Sequence, residues 1–99
     1  MEEKKEETTA QPGKIKDLGY YFLNLLSAKA WQYLGLMVHP ENRQILVDLN
    51  EARKAIDLFS VILDALRKEF DRDEMRELEA HLANLQLNFV EKMRQLAKE

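Results

Sequence analysis

No cysteine occurs in this chain, and it holds only three glycines, two prolines and one tryptophan in 99 residues. Without thiols there can be no disulfide and no thiolate metal centre, which fits a reducing compartment and makes the cytoplasm the expected location. The glycines, Gly13, Gly19 and Gly35, lie far apart with no strand before them, so no phosphate-cradling loop is present. Charge of one sign is also missing. Eighteen acidic and fifteen basic side chains are well mixed and leave a net charge of -3, so nucleic acid is not expected as a partner. The N-terminal stretch MEEKKEETTAQPGK has no apolar run behind a basic region and therefore does not read as a secretory signal. It also has no large apolar residue after Met1 to offset the entropy of ordering, so residues 1–14 read as a disordered tail and residues 15–99 as one helical domain.

What the chain does have is apolar periodicity at helical spacing, which predicts an all-α fold of three helices at about 15–35, 49–70 and 73–97. In the first, Phe22, Leu26, Ala30 and Tyr33 define one face and Leu18, Tyr21 and Leu25 another. Gly35 followed by Leu36 suits a left-handed C-terminal cap, and Pro40 opposes continuation, leaving Met37 to Val47 as a loop. The second helix opens on Asp48-x-x-Glu51. Leu49, Ala52, Ile56, Phe59, Leu63, Leu66 and Phe70 then follow at spacings of three and four. The third repeats the device with Asp71-x-x-Glu74 and a stripe of Met75, Leu78, Leu82, Leu85, Phe89, Met93 and Leu96. The five-residue step from Phe70 to Met75 turns the stripe by about 140°. A single long helix would show its halves to different sides, so a turn near Asp71 to Asp73 and a helical hairpin are expected.

These stripes do not use all the oil. Between Ile15 and Leu96 there are 35 large apolar or aromatic residues, and the core-facing positions take about twenty, roughly what one small core can hold. Leu23, Trp31, Leu58, Val61, Ile62, Leu87 and Val90 lie off the stripes. Clustered apolar surplus marks an interface, and twofold self-association is the commonest closed solution. The expectation is a homo-oligomeric bundle, a homodimer or higher, with Tyr21, Phe22, Leu25, Leu26, Trp31, Leu58, Ile62, Leu87 and Val90 as interface candidates. Its remaining surface would bind itself or another protein.

Chemistry is harder to find. His81 with Glu74 and Glu77 could share one side of a helix, but Asn84 and Asn88 continue that strip, so it reads as a solvated face and not as a metal site. His39 beside Pro40 reads as a surface histidine. Ser27 and Ser60 lack a glycine-bounded elbow or a positioned histidine, so no catalysis and no cofactor are expected. Trp31, Tyr20, Tyr21 and Tyr33 read as core or interface aromatics. Asp57 reads as a surface partner of Arg53. Leu18 to Val38 is long enough for a membrane span, but Lys29 near its centre costs about 2.5–3.5 kcal/mol on insertion scales and Asn24 and Gln32 add to it. A membrane is therefore disfavoured. Peripheral lipid binding through residues 18–35 stands as the alternative to protein binding.

The string Phe22-Leu23-x-Leu25-Leu26-Ser27-Ala28, then Leu34-Gly35, Pro40, Asp48-Leu49-x-x-Ala52-x-x-x-Ile56-Asp57 and Leu85-x-x-x-Phe89-Val90 resembles the proteins grouped as domain of unknown function 1844. The resemblance covers about residues 18–91. It implies a short bacterial, cytoplasmic, helical protein with no assigned activity, cofactor or catalytic residue. The family carries a Thr-Lys-Gly-Asn-Leu type of turn between its last two helices, whereas this chain has Arg67-Lys68-Glu69-Phe70-Asp71 and lacks that glycine.

Overall fold

The computed structural model describes residues 13–98. Residues 1–12, most of the expected tail, lie outside the described residues. Gly13 and Lys14 are exposed and precede the first helix. Three helices follow: α1 from Ile15–Tyr33, α2 from Leu49–Ala65 and α3 from Arg72–Ala97, with a short 3₁₀ turn at Arg67–Glu69. No strand occurs among the described residues; two isolated antiparallel bridges, Leu34 with Val47 and His39 with Gln44, pin the loop between α1 and α2. The all-α expectation holds.

Each helix ends for a reason visible in its residues. At the end of α1, Gly35 takes a left-handed φ of 81°. Its N–H donates to the Gln32 carbonyl at 3.0 Å and the Leu36 N–H to the Trp31 carbonyl at 3.0 Å. That pair of bonds is a Schellman closure, which needs glycine because a side chain there is strained. The helix therefore stops two residues before the expected boundary. At α2, the Asp48 carboxylate accepts from the Glu51 N–H at 3.1 Å, but Glu51 turns outward to Lys54 instead of reaching back. At α3 the box is complete, with the Glu74 N–H donating to Asp71 and the Asp71 N–H donating to Glu74.

The expected second helix, running to Phe70, ends five residues early. Phe70 sits in extended backbone, φ -94° and ψ 145°. The break lets Phe70 and Met75 both enter the core, where each is more than nine-tenths buried, although their directions would diverge on a straight helix. Burial of two large side chains, about 1.5–3 kcal/mol apiece, outweighs the few lost helical hydrogen bonds, and the Asp71 box recovers part of that loss. No glycine is required.

The core joins Leu23 and Ala30 of α1, Ala55, Ile56, Phe59 and Leu63 of α2, and Met75, Leu78 and Leu85 of α3, with Phe70 at the bend. Every residue expected on the α2 seam is buried or half-buried, and so is the α3 stripe as far as Phe89, whereas Met93 and Leu96 are exposed. On α1 the buried line differs from either expected face. It runs Gly19, Leu23, Ser27, Ala30 and Leu34, so Leu23, expected as surplus, is fully buried, and of the expected face Phe22, Leu26, Ala30 and Tyr33 only Ala30 is fully buried while Phe22 is exposed. Gly19 explains the shift. The side chain of Leu66 lies where a β-carbon at position 19 would stand, so the small residue brings α1 against the end of α2 and rotates its inner line toward Leu23. The molecule measures 60 × 34 × 18 Å.

Candidate functional site

At 100° per residue, α1 carries a second apolar line opposite its buried one, Leu18, Tyr21 and Leu25, flanked by Ile15 and Phe22, and all five are 43–69% exposed. No charged side chain interrupts it between Asp17 and Lys29. Toward the C-terminal end of α1 this outer face is covered by the chain's own loop. Lys29 forms an ion pair with Glu41, the Tyr33 and His39 rings meet edge to face at 4.7 Å, and Gln32, on the outer side, is 6% exposed. Among the described residues the Gln32 Oε1 is buried without a hydrogen-bond partner.

Of the nine expected interface residues, Tyr21, Phe22, Leu25, Leu58, Leu87 and Val90 are exposed, while Leu26, Trp31 and Ile62 are half-buried and pack against the core. The structure does not gather the nine on one surface. Tyr21, Phe22 and Leu25 share the outer face of α1. Leu87 lies about 160° around α3 from the buried line centred on Leu82 and Phe89. Val90 lines an open groove of about 340 Å³ between α2 and α3, with Ile56, Phe89 and Met93, and with Arg53 and Asp57 on its rim. Asp57 is paired with Arg53 at 3.9 Å, both exposed, as the four-residue spacing suggests.

Both histidine expectations are corrected. His39 is 4% exposed, not a surface residue. Its Nε2–H donates to the Leu46 carbonyl at 3.1 Å, and this closes the loop on α1. His81 is half-buried, not part of a solvated strip. It shares a hydrogen bond with the buried Ser27 hydroxyl, and its ring lies 6.3 Å from that of Trp31 and 5.8 Å from that of Phe59. A hollow of about 200 Å³ beside the pair is lined by Tyr20, Asn24 and Glu77. Sequence reasoning missed this contact because Ser27 and His81 lie on different helices, and no local spacing reports a tertiary pairing. The signal was weak but present: Ser27 follows Leu23 at one helical turn, on the line that turned out to be buried.

The chemistry on offer is modest. Among the described residues no group of three or more His, Asp or Glu side chains is placed to hold a metal ion. The shifted titrations are all surface ion pairs: the Glu41 carboxyl is lowered by its hydrogen bond from Lys29, the Lys54 amine raised by Glu51, and the Arg67 guanidinium raised by Glu79 and Asp64. Such pairs contribute little to stability. No described helix is long and apolar enough to cross a membrane.

No curated protein and no solved structure matches this chain. A family model does. It is described as a domain of unknown function, with no activity attached, and it matches residues 17–91, taking in all of α2, nearly all of α1 and most of α3. The resemblance noted in Phe22-Leu23-x-Leu25-Leu26 and in Asp48-Leu49-x-x-Ala52 is thereby sustained, and the chain belongs to the DUF1844 family.

Proposed function

We propose that this protein is a helical interaction module that works by binding protein through its uncovered apolar surface, first of all as a homo-oligomer, and that it carries no catalytic centre. One observation carries the reading: α1 is apolar on two opposite faces, and α2 and α3 cover only one of them. A stable domain is built of at least two packed layers around a core. Here α2 and α3 form the second layer over the inner face of α1, while the outward side chains of α1 from Leu18 to Leu25 are exposed. A contiguous exposed apolar patch beyond a few hundred Å² is the usual mark of a binding surface.

The site chemistry supports the same reading. The Ser27 and His81 pair lies between α1 and α3, where each side chain satisfies the other's polar group and the bond fixes the register of the helices. No backbone N–H pair is free near it to stabilise an oxyanion, because Ser27 sits in mid-helix. Light scattering on the purified protein is expected to give a mass of at least twice the single-chain 11.7 kDa at micromolar concentration. A single-chain mass across that range overturns the homo-oligomer, and flotation with neutral liposomes would transfer the outer face to a lipid-binding role.

A further inference from the structure

We infer that the outer face of α1 docks against the same face of a second copy, antiparallel, across a twofold axis passing between Tyr21 and Leu25. This rests on the homo-oligomer reading and deepens it by naming the surface and its geometry.

Leu18 and Leu25 are seven residues apart, Tyr21 and Ala28 likewise, and the two series alternate by three and four. That is the pattern of a helix seam whose knobs enter the holes of a facing helix. It occurs on the side of α1 turned away from the core, where packing within the chain does not require it. A second stripe of this kind, independent of the buried one, needs its own partner.

Ile15, Leu18, Tyr21, Phe22 and Leu25 are each 43–69% exposed. With free areas on the order of 200 Å² each, they leave roughly 500 Å² of apolar surface per chain. A symmetric contact that covers all of it removes at most roughly 1,000 Å² from water through these side chains, the size at which specific interfaces begin.

Charge selects the occupant. Between Asp17 and Lys29 the seam has no charged side chain; Lys14 and Asp17 stand beside Leu18 and Tyr21 at its N-terminal end, and Lys29 at the other end is tied to Glu41. A face without charge offers nothing to choose a partner of opposite sign, while a short apolar seam fits an identical seam of the same length. Isologous contact is the form such self-complementarity takes.

The loop sets the direction. Residues 36–47 cover the outer side of α1 around Gln32 and Tyr33, so a parallel pairing would bring two loops against each other. In an antiparallel pairing each loop comes level with the partner's first helical turn and not with its loop, and Tyr21 of one copy faces Leu25 of the other. The loop also ends the seam, which limits the assembly to a discrete pair.

The test uses the full chain. Leu25→Glu and Tyr21→Lys are each expected to weaken self-association at least a hundredfold by light scattering, with helix content by circular dichroism unchanged. An equimolar mixture of the two is expected to recover a dimer, because the carboxylate introduced on one copy then meets the amine introduced on the other. Leu87→Glu, on the outward side of α3, is expected to keep the wild-type mass. If the wild type is oligomeric and both α1 variants keep its mass, or if the mixture stays monomeric, this face is not the contact and the inference fails while the oligomer stands. If the wild type itself is monomeric, the parent reading fails with it. Should either variant lose its helix signal, Leu18→Gln with Leu25→Gln replaces it, and retention of the wild-type mass by that double variant overturns the inference.

Discussion

α1 and α3 are both amphipathic, yet they face water in different ways. On α3 the side opposite the core carries Arg76, Asn84, Glu91 and Arg94, with Leu87 as a scattered exception; on α1 the corresponding side carries Leu18, Tyr21 and Leu25. Scattered exposed apolar residues are normal on a protein surface, whereas a continuous line of them is not. The contrast shows where the molecule is finished and where it is open. The inner lines of the two helices are alike in burial, with Leu23 and Leu85 both at 0% exposure, so the difference lies wholly in their outer faces.

The sharpest way to break this comparison is to shorten one side chain on each face. Leu23→Ala and Leu85→Ala should each lower unfolding stability by about 2–5 kcal/mol, the cost of lost burial plus a cavity, measured by urea denaturation. Leu25→Ala should leave the dilute, dissociated chain within about 0.5 kcal/mol of wild type. Equal losses at positions 23 and 25 would mean that α1 is buried on both sides within a single chain. A smaller effect is expected at Gly19→Ala, where the new methyl group displaces Leu66. Strain of about 1–3 kcal/mol is offset by a helix-propensity gain near 1 kcal/mol, so the net change is a loss of no more than about 2 kcal/mol. Asp71→Ala removes one side of the α3 capping box and should cost about 1 kcal/mol, with no effect on mass by light scattering. The smallest effect concerns pH. Because the folded-state Glu41 carboxyl lies below its ordinary value of 4.5, its tie to Lys29 contributes fully above that value and is lost as pH falls through the lowered one. Glu41→Gln should abolish that acid-side component, read as loop amide protection that no longer falls as the carboxyl protonates.

Most of the fold was legible because helix periodicity is a local property. The α2 seam from Leu49 to Leu63, the Asp71 box and the hairpin inferred from the Phe70 to Met75 phase all arise within one helix or between neighbours in sequence. α1 resisted for a physical reason. With apolar residues all round, it has no single moment to show which side is inner, and the choice was made by Gly19 meeting Leu66 on another helix. The two histidines were missed for related reasons: His39 is buried by a loop that folds back so that Tyr33 and Leu46 meet it, and His81 is drawn half inward by Ser27, Trp31 and Phe59 on other helices. For the candidate surface, the identities Tyr21, Phe22 and Leu25 were accessible, whereas Leu26, Trp31 and Ile62 were drawn inward by contacts that no spacing encodes.

The two connections also differ in reach, residues 66–71 between α2 and α3 against residues 34–48 between α1 and α2. The shorter one closes at lower entropic cost, and its capping box helps start α3. Yet α1 leaves the ribosome first. During synthesis the greasiest segment of the chain therefore waits, unshielded, for a hairpin that has not been translated, and once the hairpin arrives it shelters only one side. Chaperone demand for this small protein should consequently rise with the time between emergence of α1 and completion of the hairpin, so slowing the codons of α3 should increase aggregation.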